Sequence, residues 1–409
     1  MSFAEHRERL YQTLPENTLV LAYAGIPLHL NEDAYAPFTV NSQFFYLTGL
    51  ERESTAFLAY KSAEKVREFL FIEEPEPLSE RWTGKMPTAE EVRKLSGIED
   101  VRYTDSLEGT ISRFLGRFRV EQAYFDLYRC GMNDLPDYNA VMAERFRQAY
   151  PQVVLRDLRT ACAPLRERKD AEEVARIRRA VDITRQGLEF VMKHLKPGMT
   201  EYQVQADFEY TCRRLGAKRQ AFPTIAGSGL NGCMMHYDTN RCEVRDGSLI
   251  LLDLGAAYEN YCSDITRTYP ANGKYSPRQR ELYELVLKAN EAVAAAARPG
   301  VTTKDLNDVA RRVLGEGLVA MGMIADESEV DKYYMHGVSH SIGIDVHDIS
   351  LDGDVLQPGW VVSDEPGLYV DEEAIGIRIE DDLLITEDGC EVLSKDILRD
   401  PDAIEAFMA

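Results

Sequence analysis

Apolar and polar positions change rhythm along this chain. Before Arg159, short apolar runs (NTLVLAYAG, STAFLAY, REFLFI, EQAYFDL) alternate with polar, helix-patterned stretches such as PTAEEVRKLSG. Strands alternating with helices predict an α/β domain on a central sheet. One segment, NSQFFYLTGL at residues 41–50, gathers aromatics ahead of a Thr-Gly turn. It reads as a buried strand and turn, or as part of a site.

The rhythm then lengthens. In APLRERKDAEEVARIRRAVDITRQGLEFVMKHLKPGMT, Val174, Ile177, Val181, Leu188, Val191 and Leu195 recur at helical spacing, and Pro197-Gly198 stops the helix. The boundary is drawn just before it, giving a small α/β domain over residues 1–160 and a second domain over 161–409. A second copy of this grammar follows in SPRQRELYELVLKANEAVAAAARPGVTTKDL, where PGVT matches the earlier PGMT. The period is far too long for a solenoid. It predicts two related halves of one domain, each a helix pair followed by strands, within an overall α/β (α+β) class. Two unrelated helices with ordinary Pro-Gly stops are the alternative.

Composition narrows the function classes. The 409 residues are 44% hydrophobic and 28% charged, as a globular chain with a sizeable core would be. Lys+Arg number 47 against Asp+Glu 69, a formal charge of -22. That field repels nucleic acid and anionic membranes, so neither is an expected partner. MSFAEHRERLYQTL carries charges where a secretory signal would be apolar. Seven cysteines without a CxxC spacing argue against a disulfide framework and a structural zinc site. A cytoplasmic protein is expected.

Candidate chemistry starts with buried acids. Asp246-Gly247 is a turn signal, and SLILLDLG after it is a buried strand holding Asp253, where an unpaired carboxylate is costly. Asp264 sits in the β-rich SDITRTY. A hairpin centred on Tyr258-Glu259 would pair position 253 with 264 and put both carboxylates on one face, Cβ atoms about 5 Å apart. Two such groups repel unless a cation or shared proton lies between them. In VVSDEPGLYVDEEAIGIRIEDDLLI, a hairpin centred between Glu372 and Glu373 sets Glu365 opposite Glu380, with Pro366 and Gly367 disturbing the pairing. Arg378 falls on the same strand face as Glu380.

Three of the seven histidines, His336, His340 and His347, lie in MHGVSHSIGIDVHD. Its glycines and β-branched residues disfavour a helix. On a regular strand His336 and His340 would share a face, and a bend at Gly343 would bring His347 back. HGVSH lacks the glutamate and helix of a zincin. One neutral imidazole would complete a carboxylate metal cluster, and the others would handle substrate. Four carboxylates and a histidine suit hard or borderline divalent ions. Two ions, with manganese favoured and cobalt, iron(II) or zinc also fitting, balance the charge and activate water. GSGLNG at residues 227–232 matches G-x-G-x-x-G, yet CMMHYDTNRCEV after it is no convincing helix. It reads instead as a flexible loop presenting His236.

GSGLNGCMMHY, LLDLGAAYENYCSDITRTY, HGVSHSIGIDVHD, EPGLY and GIRIEDD, in this order, resemble the aminopeptidase P and prolidase family of pita-bread metallopeptidases, and NSQFFYLTG resembles the family's smaller N-terminal domain. The resemblance implies a pita-bread catalytic domain of two pseudo-symmetric halves. It implies that Asp253, Asp264, His340, Glu365 and Glu380 hold two metal ions, with Asp264 and Glu380 bridging. A hydroxide between the ions would attack the carbonyl before a proline, and Glu365 would shuttle its proton to the leaving nitrogen. His236, His336 and His347 would hold substrate and stabilise the tetrahedral intermediate, with Tyr369 and Arg378 beside them. SDITRTYPANGKYSPRQRELYELV and MHGVSH look more like aminopeptidase P than prolidase.

The chain departs from the family pattern in places. Gln43 stands where relatives often carry an acid, which bears on recognition of the peptide's amino end. The run from His347 to Glu365 is short and lacks an arginine that some relatives carry, and Asp364 replaces an apolar residue. The expected function is release of the first residue from peptides with proline second. An Xaa-Pro dipeptidase is the near alternative, and a catalytically inactive peptide-binding or partner-binding protein of the same fold is the distant one. A homodimer or homotetramer is expected. Trp82 would cap substrate, from a neighbouring subunit for instance, or simply lie at a surface or an interface.

Overall fold

The computed structural model describes residues 2–351 and 355–409. The chain divides into two compact units, Met1–Leu165 and Arg166–Ala409.

In the first unit the apolar runs form one six-stranded mixed sheet, in the order Val101–Tyr103, Val66–Ile72, Ala56–Lys61, Thr18–Tyr23, Gln122–Phe125, Val154–Asp157. The Thr18–Tyr23 strand pairs antiparallel with Ala56–Lys61 and parallel with Gln122–Phe125. Leu19, Leu21, Phe71 and Phe125 from the sheet meet Ile111, Phe114 and Phe146 from helices in one core. NSQFFYLTGL departs from the strand reading. Ser42–Thr48 is a helix, started by Asn41, whose side chain accepts from the Phe44 amide, and ended by Gly49 in the left-handed conformation. A good N-cap and a glycine C-cap outweigh aromatic strand propensity.

The second unit is built twice over. Ala171–His194 and Glu201–Arg214 form one helix pair, Pro277–Ala296 and Thr303–Ala320 the other. The two Pro-Gly turns do the same work: Gly198 N donates to Val244 O (2.9 Å) and Gly300 N to Leu356 O (3.0 Å). Val244 N returns to Met199 O, and Leu356 N to Val301 O. Thr200 and Thr302 both cap the helices that follow. The short run noted between His347 and Glu365 includes residues 352–354, which lie outside the described residues.

Each half supplies a hairpin. In the first, the turn is centred between Glu259 and Asn260, both at positive φ (46° and 66°), one step beyond the expected centre. Asp253 therefore faces Thr266 in the ladder, not Asp264. The slip is two residues, so both carboxylates keep the same face. Carried forward, the register sets Asp264 across from Gly255, where a Cβ would lie 1.9 Å from Ser263 O. In the second hairpin Asp364 faces Asp381 and Gly367 faces Arg378. One register runs through both ladders, so Glu365 lies across from Glu380 as expected, with Pro366 interrupting the bonds between. The hairpins lock together where Glu380 N donates to Thr266 O (3.0 Å) and Arg378 N to Thr268 Oγ1 (3.2 Å). No helix among the described residues is long and apolar enough to cross a membrane.

Gly255→Ala tests this geometry. Its Cβ would press on a backbone carbonyl, so a loss of about 1–3 kcal/mol or more is expected. An unchanged urea midpoint would refute the packing described.

Candidate active site

Asp253 lies in the fully buried strand Leu249–Leu254, and Asp264 just before Ile265–Pro270. Glu365 and Glu380 flank the second hairpin's strands. Ligand atoms of Asp253, Asp264 and Glu380 lie within 4.8 Å of one another, as do those of His340, Glu365 and Glu380. His340 Nε2 is 3.4 Å from Asp264 Oδ2 and 3.6 Å from Glu365 Oε1. The four acids and one imidazole singled out in the sequence thus converge.

Their electrostatics are severe. Burial and the neighbouring Glu380 and Asp253 hold the Asp264 carboxyl well above the usual range. Burial, Glu365 and Asp253 do the same to Glu380. Burial pushes Glu365 up to about 7, with Arg378 opposing and Asp253 adding. Burial and His347 push His340 down to about 4, so its imidazole is neutral and free to ligate. Asp253 Oδ1 and Asp264 Oδ1 are buried without a hydrogen-bond partner. Orphaned carboxylate oxygens facing one another are what a divalent cation would satisfy, and the oxygen-rich donor set suits a hard or borderline ion.

A row of hydrogen bonds leads away from the cluster. Arg378 Nη2 donates to Asp253 Oδ2 (2.6 Å), Nη1 to Tyr369 Oη (2.8 Å) and Nε to Thr266 Oγ1 (3.0 Å). Thr266 in turn donates to Glu380 Oε2 (2.6 Å). Arginine cannot accept, so the Tyr369 hydroxyl oxygen accepts the hydrogen bond from Arg378 and has its own hydrogen to donate to His336 Nε2, 2.8 Å away. His336 Nδ1 then carries the ring hydrogen, facing Gly337 O at 2.7 Å. Burial and the Arg378 charge push His336 down to about 4, which agrees with this neutral form.

The histidine segment is neither helix nor regular strand. It follows the Val361–Asp364 strand through a single bridge, Ser341 with Val362, and His340 N donates to Ser363 Oγ (2.9 Å). The irregular backbone turns His336 toward Tyr369, while the rings of His340 and His347 lie 4.0 Å apart. His236 and His347 are exposed. All three substrate candidates line one cavity of about 510 Å³ with the acid cluster, Arg378, Phe222, Pro223, Ile225, Met235 and Val346. The GSGLNG segment is not loose: Gly229–Cys233 is a tight helical turn.

Sequence reasoning passed over Thr266, Ser363 and Asp382. Thr266 shares a strand face with Asp264 two residues away, a signal that was available. Ser363 joins His340 to Glu365 through its hydroxyl. Asp382 accepts from the Asp264 amide at 3.3 Å, a contact across the fold that no local pattern marks.

The chain matches the model of metallopeptidase family M24 over residues 175–387 and that of the aminopeptidase P N-terminal domain over 3–122. It is 32% identical to an Escherichia coli Xaa-Pro aminopeptidase over 439 aligned positions, covering 99% of this chain and 97% of the relative. The solved aminopeptidase P of E. coli with the inhibitor Pro-Leu superposes with a TM-score of 0.91 at 31% identity, covering 100% of this chain and 97% of that one. A Bacillus anthracis structure, provisionally assigned as an aminopeptidase P, gives a TM-score of 0.96 at 42% identity, covering 99% and 97%.

The acid cluster sets an expectation for the metal-free protein. Glu365 is raised from its ordinary value of 4.5 to about 7 on folding. Its linked stability is complete below about 4.5 and lost as pH rises through about 7, because the unfolded state then releases the proton more easily. Asp264 and Glu380 act in the same direction. Adding a divalent cation should therefore raise the thermal midpoint of chelator-treated protein, and more so above the Glu365 value than below it. An equal gain at both pH values would contradict this.

Proposed function

The chain belongs to metallopeptidase family M24 and is a metallo-aminopeptidase of the Xaa-Pro kind, and from that premise we propose how its own residues carry the reaction. The substrate is a peptide with proline second, and hydrolysis of the bond before that proline releases the first residue. One observation carries the assignment of residues: the acid cluster with His340 shares a cavity with His236, His336 and His347.

Asp253, Asp264, His340, Glu365 and Glu380 would hold two divalent ions. The donor set favours manganese, with cobalt, iron(II) and zinc as the other candidates. When bound, the ions supply an electrophile for the scissile carbonyl and an activated water. Glu365, steadied by Ser363, takes the proton from the nucleophile and returns it to the proline nitrogen, which leaves only once protonated. Arg378 holds Asp253 in place and sets the direction of the Tyr369 hydroxyl. Both ring nitrogens of His336 are engaged, so its part is to hold the Tyr369 hydroxyl in place beside Arg378. His236 and His347, exposed at the mouth, face the substrate and the charge developing on its carbonyl oxygen. The apolar wall of Phe222, Pro223, Ile225, Met235 and Val346 suits the proline ring.

The first unit leaves Trp82 (85% exposed), Leu78 (62%), Met132 (100%) and Leu135 (90%) in water. Apolar side chains so exposed suit a subunit interface, and a homodimer or homotetramer is the reading adopted. Sedimentation equilibrium would show a monomer if it is wrong. Seven cysteines without a CxxC spacing and the acidic composition suit the cytoplasm.

The catalytic assignment is tested on metal-stripped protein with manganese restored. An Xaa-Pro-Xaa tripeptide should be cut, and Asp264→Ala should fall to background while its circular dichroism stays native. Cleavage of an Xaa-Pro dipeptide alone would make this a dipeptidase. Full activity in Asp264→Ala would refute the metal set.

A further inference from the structure

GSGLNG has no place in the chemistry above, yet it leads directly to His236. The segment from Thr224 to Cys242 hangs from one face of the Glu201–Arg214 helix, where Glu201, Gln205 and Glu209 follow at spacings of four. Glu201 is fully buried (0% exposed). Its Oε1 accepts from Ser228 N (2.9 Å), Ser228 Oγ (2.8 Å) and Asn231 Nδ2 (2.9 Å). Its Oε2 accepts from Tyr237 Oη (2.8 Å) and Cys242 N (2.8 Å). One carboxylate thus closes the loop from position 228 to position 242, and one of its donors is the residue next to His236.

A second clamp works beside it. Asn240, buried at a φ of 47°, accepts from Ala226 N (2.9 Å) and donates to Gln205 Oε1 (2.9 Å) and Thr224 O (2.7 Å). Gln205 donates onward to Glu209 (2.8 Å). On the far side the loop meets Gly376, where a Cβ would lie 2.0 Å from Gly232 O. Within the motif, a Cβ on Gly227 would lie 2.8 Å from Asn231 O, so that glycine lets the turn close, and Gly229 takes a φ of 56°.

The chemistry calls for an acid at position 201. Five donors converge on two oxygens, and these donors stabilise the buried charge in place of a counter-ion. An amide there would turn an N–H toward donors that are already N–H or O–H groups. Glu201 does not line the cavity, whereas His236 does.

We propose that Glu201 is a positioning residue of the peptidase reaction, closing the loop so that His236 is held at the cavity. This rests on the reading that His236 handles substrate. Glu201→Gln should then lower kcat/KM about tenfold to a hundredfold, the scale of a misplaced catalytic geometry. The division of the loss between kcat and KM should follow that of His236→Ala, and manganese uptake should be unchanged. In a His236→Ala background the same change should cost almost nothing more, since residues acting as a unit are not additive. A loss of equal size in both backgrounds, or no loss in the single variant, overturns the proposal. If Glu201→Gln does not fold, Tyr237→Phe, which removes one donor, goes through the same cycle, and an additive result there overturns it too. His236→Ala is also assayed alone. Full activity in that variant overturns the reading of His236 and the proposal with it, and is told apart because Glu201 is untouched.

Discussion

Four carboxylates facing one another in a buried pocket repel, and every other feature of the catalytic unit answers that repulsion. Burial first, and the neighbouring carboxylates after it, raise Asp264, Glu365 and Glu380, so in the absence of cations the cluster holds protons. One fixed cation, Arg378, lies against the cluster and is shared with Tyr369 and Thr266, so it orients more than it neutralises. His336 and His340 stay neutral chiefly because burial disfavours imidazolium, with the Arg378 charge adding to the effect at His336. A divalent cation placed among these oxygens would answer the same repulsion.

The duplicated architecture explains how such a cluster can be assembled. Each half brings one hairpin and one pair of acids, Asp253 with Asp264 and Glu365 with Glu380. Neither pair alone makes the four-acid cluster. The halves are locked by the backbone bond from Glu380 N to Thr266 O, by the Thr268 hydroxyl, which accepts from Arg378 N, and by the buried guanidinium of Arg267, which donates to Asp381 Oδ1 (2.7 Å) behind Glu380. Rigidity behind the cluster sets the spacing in front of it.

Much of this was legible because buried acids stand out in apolar runs. Asp253 within SLILLDLG and Asp264 in SDITRTY announced themselves by the cost of their burial. The exact turn did not. Nothing in AAYENYC favours Tyr258-Glu259 over Glu259-Asn260 until the left-handed backbone at both latter residues is seen. The error was harmless because a two-residue slip preserves the strand face. The aromatic helix Ser42–Thr48 was hidden for a different reason, since its capping residues contradict its strand-like composition. The histidine segment follows no period at all, its path set by bonds to Val361–Asp364. Long-range partners such as Asp382 have no local signature.

The acid cluster sits at the floor of a cavity of about 510 Å³ whose mouth carries His236 and His347. A volume of that size admits a few residues of extended chain and no folded segment. Prolines inside structured proteins are therefore out of reach whatever their sequence context, and the restraint on this hydrolytic centre is spatial. Proteolytic safety then follows from size: a segment must leave its own fold before it can reach the acids.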